Sequence, residues 1–425
     1  MTPKHSDAAA RPDTIYTNPD PSMAEKQPLL DSRNARNGDA EQIAGHQWPG
    51  DQPSPKHQRP WPFATPPPKI TCDSWMSHIP SSTLMSALTI PGTHDSASYT
   101  YSWPFIATQT LSITAQLDAG IRFFDLRCGL VGNELEMVHG SALLNLRLST
   151  VLSEMYAWLS THPSEALIAQ IKRDRKPESS TLPFSTAITN LLSATPSRWR
   201  TANTTPSLGE LRSRIQLFRR FTLPSPHPLA YGIDVTPWPD NPSAPFTIST
   251  PHATLTIQDH YSFPSPLPLP SLITQKGLLV SRTLALASSP AAPPEHWFVN
   301  FTSAFEFNLY YQIPPREIAA GAWWGFRWEE GVNARLGAWL DGRREELEGG
   351  TGGRGRLGVV VMDFPEKGDG ELVGKVFGAN FGGKKAVGWG RAWVVLVLVL
   401  VVLVAAVLVW MFGRGGGGFV TAVHE

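Results

Sequence analysis

The stretch Leu88 to Ser96, LTIPGTHDS, carries a short apolar run into proline and glycine and then sets a histidine beside an aspartate. An apolar segment of this length, closed by turn residues and followed at once by ionisable side chains, reads as a buried strand whose far end faces something polar. Taken alone, a His-Asp pair is an ordinary surface turn, so the reading depends on whether the layout recurs. It does, in IRFFDLRCG (121–129), LEMVHGS (135–141), LIAQIKRD (167–174), IQLFRRF (215–221), ATLTIQDHY (253–261), WFVNFTS (297–303) and LGVVVMDFP (357–365). Helix-like stretches separate several of these runs. STVLSEMYAWLSTH opens with a Ser/Thr cap, and GVNARLGAWLDGRREELE has apolar residues at three and four spacing. Eight strands alternating with helices predict an α/β fold, a mostly parallel sheet closed into a (βα)8 TIM-like barrel, with its site at the carboxyl ends of the strands. Those ends carry His94 and Asp95, Asp125 and Arg127, His139, Lys172, Arg220, Asp259 and Tyr261, and Asp363. Each has a dull explanation by itself; ionisable groups at the same end of so many strands do not.

Length, charge and composition set the frame. A chain of 425 residues has ample length for one large α/β domain or two smaller ones. With 36 basic and 36 acidic residues the formal charge is zero, so no bulk field gathers nucleic acid. Two cysteines, Cys72 and Cys128, are too few for a disulfide scaffold and suit a reducing compartment. Residues 1–69 are rich in Pro, Ser, Asn, Gln and charge without periodicity, and read as a disordered arm containing EKQPLL, which is similar to an acidic dileucine sorting signal. The barrel domain is expected over 70–380, interrupted by Pro-rich loops but not divided by them.

From Ala392 to Phe412 the chain is uncharged and apolar, about the length that crosses a bilayer as a helix. Trp389, Trp393 and Trp410 lie near its ends, Lys384, Lys385 and Arg391 precede it in a basic linker (381–391), and Arg414 opens a short tail (413–425). The N-terminus has no apolar signal region. The stronger basic flank is N-terminal, which predicts a single-pass tail anchor with the large N-terminal part facing the cytosol.

Two histidines on different strands, each with a carboxylate within reach and an arginine between them, are suited to phosphoryl transfer between oxygens. One imidazole takes a proton from an attacking hydroxyl and the other protonates the leaving oxygen. A carboxylate on the remote ring nitrogen fixes the tautomer, and an arginine fork matches two phosphate oxygens. No metal is needed for this chemistry.

In order and approximate spacing from Trp75 to about Ala379, LTIPGTHDS, GIRFFDLR, MVHG, LIAQIKRD, IQLFRRF, TIQDHY, VNFTS and VVMDFP resemble the catalytic-barrel motifs of bacterial-type phosphatidylinositol-specific phospholipase C. The resemblance implies that His94 is the general base for the inositol 2-hydroxyl and that Asp363 orients it. It makes His139 the general acid, supported by Asp95, and Arg127 the phosphate ligand with Asp125 beside it on the substrate side. Lys172, Arg220, Asp259 and Tyr261 match positions that bind the inositol ring. Calcium-dependent relatives carry two acidic ligands on the strand of Asp125. Arg127 stands at the second of those positions, so the resemblance implies cleavage without metal or other cofactor. The membrane tether departs from the usually secreted bacterial members. Other readings are a phosphodiesterase for another phospholipid or a glycosylated inositol lipid, a catalytically silent lipid-binding protein, and a tethered scaffold. Trp323, Trp324, Phe326 and Trp328 in GAWWGFRWEEG are expected to pack as core or barrel rim rather than touch lipid.

Overall fold

The computed structural model describes residues 70–224, 231–343 and 355–381. Its centre is a curled, mostly parallel sheet. Strand β1 (Ile90–Thr93) lies between β2 (Phe123–Val131) and the last strand, and β2 continues into an antiparallel excursion, β3 (Glu134–His139) and β4 (Ala142–Arg147). Next come β5 (Leu167–Arg173), the short β6 (Trp199–Arg200), β7 (Ile215–Arg220), the two-residue β8 (Ile233–Asp234) and β9 (Phe246–Ser249). They are followed by β10 (Thr254–Gln258) and β11 (Trp297–Phe301), two small hairpins (β12 Glu306–Phe307 with β13 Gln312–Ile313, β14 Gly321–Trp324 with β15 Arg327–Glu330), and β16 (Val359–Met362). The path across the sheet is β6, β7, β5, β2, β1, β16, β11, β10, β9, with β8 sharing the outer edge of β7.

Seven of the eight predicted runs are parallel members of this sheet; LEMVHGS is not, because it forms β3, antiparallel to β2. Nor is the barrel closed. Among the described residues no strand pairing joins β8 to β10 or β9. The physical reason lies in the intervening chain, where Pro237, Pro239, Pro242 and Pro245 remove ladder donors just where a strand would have to close the circle. Side chains bridge the seam instead. The Trp238 ring lies under the Arg220 guanidinium at 4.2 Å and meets Phe246 and Phe301 edge-on at 5.9 and 5.7 Å.

Helices α1 (Ile113–Asp118), α2 (Leu148–Thr161), α3 (Phe184–Ser193), α4 (Leu208–Leu211), α5 (Leu269–Ala287), α6 (Pro315–Ala320), α7 (Val332–Gly342) and α8 (Leu372–Gly378) accompany the strands. The predicted Ser/Thr cap of α2 is absent: Arg147 occupies the cap position and makes no side-chain capping bond. Strands such as β1, β11 and β16 are buried along their whole length, so they read as continuous apolar runs rather than alternating ones. Phe123, Phe218 and Trp297 fill the interior in edge-to-face contact at 6.1 and 5.1 Å. Gly92 is required by this packing, since a Cβ there would stand 2.9 Å from Phe123. Cys72 and Cys128 are buried free thiols.

Beside the N-terminal end of β2, Arg122 and Glu165 form a fully buried ion pair of 2.7 Å. The guanidinium also donates to the carbonyls of Leu117, Ile121, Cys72 and Asp73 and lies 4.6 Å from the Trp158 ring. Replacing Arg122 by Met leaves the Glu165 carboxylate buried without its cation, and about 3–5 kcal/mol of unfolding free energy should be lost. Denaturant unfolding measures this; a loss below about 1 kcal/mol, the range of an exposed pair, would contradict the assignment.

Among the described residues no helix is long and apolar enough to cross a membrane. The apolar run 392–412, its basic linker from 382, the tail, the arm to 69 and EKQPLL lie outside the described residues. The aromatic hairpin β14–β15 differs from expectation. Trp324 packs near Tyr311, but Trp323 is 68% exposed, Trp328 48% exposed and Phe326, at the turn, wholly exposed.

Candidate active site

The parallel register assembles the site. Arg127 on β2 pairs with Lys172 on β5, and Lys172 pairs with Arg220 on β7, so three cations share one rung of three neighbouring strands. His94 follows the last residue of β1, and Asp363 follows the last residue of β16, its parallel neighbour. His139 arrives from the other side, at the end of β3. These side chains, with Asp259 and Tyr261 beyond β10, line one cleft of about 510 Å3.

His94 is held at both ring nitrogens. Its Nδ1 is 2.8 Å from Asp363 Oδ1, and its Nε2 is 2.7 Å from an Arg127 guanidinium nitrogen. This network assigns the proton to Nδ1, donated to the carboxylate, and leaves Nε2 as the lone-pair nitrogen facing Arg127. Burial disfavours the imidazolium, but the Asp363 carboxylate outweighs it, and despite the opposing Arg127 charge the proton affinity of His94 is held above its ordinary value. Asp363 is 1% exposed, which keeps the pairing dry.

Arg127 is ringed by carboxylates: Nε is 3.0 Å from Asp95 and 3.1 Å from Asp125, and a terminal nitrogen is 3.8 Å from Asp174. Burial works against its charge, but these three groups hold the guanidinium firmly protonated. Asp125, itself fully buried, also accepts from Gln170 at 2.8 Å, and Arg127 and His94 press its carboxyl well below the usual range against the cost of burial. Asp125 therefore does not reach the cleft as expected of a substrate ligand. It stands behind Arg127 and aims it.

Asp95 also lies behind the cleft wall, 2% exposed, in a left-handed backbone conformation (φ 42°) that a non-glycine residue adopts at a cost. One oxygen pairs with Arg127, and the other, which accepts no hydrogen bond, lies 3.4 Å from His139 Nδ1 and 3.7 Å from His94 Nε2. Asp95 was expected to support His139, yet the closer partner of that Nδ1 is the carbonyl of Ile106 at 2.8 Å. A carbonyl accepts only, so Nδ1 carries a hydrogen and Nε2 is the exchangeable position. The two imidazoles are 6.4 Å apart, ring centre to ring centre, and nearly perpendicular.

The far wall is polar, and its groups are held by one another. Lys172 pairs closely with Asp174; Asp259 accepts from Trp238 Nε1 at 3.0 Å; the Tyr261 hydroxyl donates to Asp240 at 2.7 Å while its ring stacks on Phe305. Asp174, Asp240 and Trp238 were missed in the sequence. For Asp174 the signal was present: it closes the run LIAQIKRD, one residue past the end of β5. Asp240 and Trp238 lie in the Pro-rich seam, where no periodicity marks them.

Comparison with known proteins gives the arrangement its relatives. Residues 88–221 match the family described as phosphatidylinositol-specific phospholipase C, X domain. The chain is 29% identical over 311 residues to the 1-phosphatidylinositol phosphodiesterase of Listeria monocytogenes, covering 70% of this chain and 83% of that protein. The solved phosphatidylinositol-specific phospholipase C from that organism superposes with a TM-score of 0.54 at 26% identity, over 73% of this chain and 99% of the other. A Staphylococcus aureus phosphatidylinositol-specific phospholipase C shares the fold, with a TM-score of 0.59 at 22% identity over 73% and 98% of the two chains. The segment carrying His94, Arg127, His139 and Lys172 thus matches the X-domain family, and over most of its described length the chain is similar to bacterial phosphatidylinositol-specific phospholipases C.

Proposed function

We propose that the protein is a metal-independent phosphatidylinositol-specific phospholipase C that releases diacylglycerol and a cyclic inositol phosphate. The observation that carries this reading is the convergence of His94, Arg127 and His139 on one cleft, with the guanidinium against His94 and the two imidazoles 6.4 Å apart. The substrate phosphate replaces His94 as the partner of Arg127. His94 Nε2 then takes the proton of the inositol 2-hydroxyl, whose oxygen forms the new bond to phosphorus. Arg127 binds the non-bridging oxygens as negative charge builds on them. The bond from phosphorus to the glycerol oxygen breaks, and protonated His139 delivers its Nε2 hydrogen to that oxygen. Water attack with the two imidazoles in reversed roles opens the cyclic phosphate and returns both to their starting states. The charge that a divalent cation would supply comes from a guanidinium fixed among the very carboxylates that would attract such an ion.

Lipid access fits the rim. Trp103 (59% exposed) and Phe307 (61%) line the cleft, and Leu309 and Tyr310 project nearby in sequence. The sequence adds a tether, 392–412, whose basic N-terminal flank favours a cytosolic catalytic domain; it raises the effective concentration of enzyme at its lipid. The test uses the full chain on vesicles of phosphatidylinositol, phosphatidylcholine or phosphatidylethanolamine in EGTA. Diacylglycerol release from phosphatidylinositol alone, unchanged by added calcium, is expected. Release that requires calcium overturns the metal-independent reading, and equal release from all three lipids overturns the headgroup assignment.

A further inference from the structure

His94 and Asp363 sit at the ends of two different strands, past the last register pair of β1 with β16, Thr93 with Met362. Ladder bonding beyond that rung is a single bond, from the His94 amide to the Met362 carbonyl at 3.0 Å. The catalytic pairing therefore needs support from elsewhere, and the segment between Thr100 and α1 supplies it.

Gln109, in that segment, is 1% exposed. Its Nε2 donates twice, to the carbonyl of His94 at 2.8 Å and to that of Met362 at 2.9 Å. Thr108 adds a hydroxyl bond to the His94 carbonyl at 3.0 Å, and its own carbonyl accepts from the Phe364 amide at 2.9 Å. Backbone groups on both sides of Asp363, and that of His94 itself, are thus fixed to one dipeptide. Three residues upstream, Ile106 supplies the carbonyl that orients His139.

We propose that Gln109 is a positioning residue of the proposed phospholipase: its side-chain amide staples the backbone of the base His94 to the strand end that presents Asp363. The inference rests on the proposed function for its catalytic consequence and on geometry for the rest. A glutamine suits the task because one NH2 group has two donors, enough for two carbonyls, where a hydroxyl has one. Loss of the staple lets β1 and β16 separate at the point where a shift of about 1 Å in the dyad costs on the order of 100-fold in rate.

Gln109→Met in the full chain keeps the length and removes both donors. On phosphatidylinositol vesicles kcat should fall about 10- to 100-fold with KM little changed. The charged and titratable groups facing His94 are Asp363 from β16, Asp95 from its own strand end, Arg127 from β2 and His139 from β3. Of these, Asp363 holds the His94 proton affinity up most, so a loosened dyad moves the acid limb of the rate profile to lower pH.

A second readout needs no substrate. In an NMR titration of the ring, identified by its loss in His94→Ala, the His94 midpoint should drop in the Gln109→Met protein. If the wild type fails to cleave phosphatidylinositol but this midpoint drops, positioning stands and the substrate reading falls. A folded variant with wild-type kcat, or one slowed without any change in His94 titration, overturns the positioning role. Should the methionine variant not fold, Gln109→Asn, one methylene too short to reach both carbonyls, is held to the same two outcomes.

Discussion

Replacing His94 by alanine is expected to lower kcat by about 100- to 10,000-fold, the range that a positioned general base supplies. Within the cleft, Nε2 of His94 is the lone-pair nitrogen that the Asp363 pairing leaves beside Arg127. The ring is 14% exposed and makes edge contact with Phe301 at 5.9 Å, so removing it trims the cleft wall rather than the core. Lipid binding, measured as KM, should change little, because the wall carrying Lys172, Asp259 and Tyr261 is untouched. Asp363→Asn should reproduce much of the loss, since an amide can donate to Nδ1 and favour the tautomer with the hydrogen on Nε2. Single-turnover rates on phosphatidylinositol separate these variants; an alanine variant within about tenfold of wild type would end the assignment of His94 as base.

Arg127→Lys is expected to lower kcat/KM by about 100- to 1,000-fold although the charge is retained. Lysine offers a point charge where the site is shaped for a fork: Nε faces Asp95 and Asp125, one terminal nitrogen leans toward Asp174, and another reaches His94. An ammonium cannot satisfy these directions together and still hold two phosphate oxygens. The loss should fall on kcat more than on KM, because the guanidinium acts on charge that builds in the transition state. Steady-state kinetics in EGTA decide it, and a variant that keeps wild-type kcat would show that any cation at this position suffices.

Much of the site was legible because parallel strands buried on both faces concentrate their polarity at their ends. Arg127, Lys172 and Arg220 could each be read from an apolar run that stops at a charge, and the in-register pairing of β2, β5 and β7 turns three such readings into one rung. What a linear pattern does not encode is which polar group faces the cleft and which backs another. Asp125 looks like a ligand in the sequence, yet its strand position buries it beneath Arg127. His139 ends an apolar run as a barrel strand would, but β3 turns back antiparallel, and its partner is a backbone carbonyl that no residue type announces. The open seam had a local cause in its prolines, while the Trp238 bridge across it depends on contacts among segments far apart in the chain. The exposed hairpin carrying Trp323 and Phe326 has strand-like composition and gave no sign of which face lacked a partner.

Phosphorus NMR of the reaction of the full chain with phosphatidylinositol in EGTA decides the order of the two steps. Two imidazoles and a guanidinium acting on one phosphorus require the inositol hydroxyl to attack first. A cyclic inositol phosphate signal is expected to rise before any linear monophosphate. A linear product formed from the outset, with no cyclic species at any time, would contradict it.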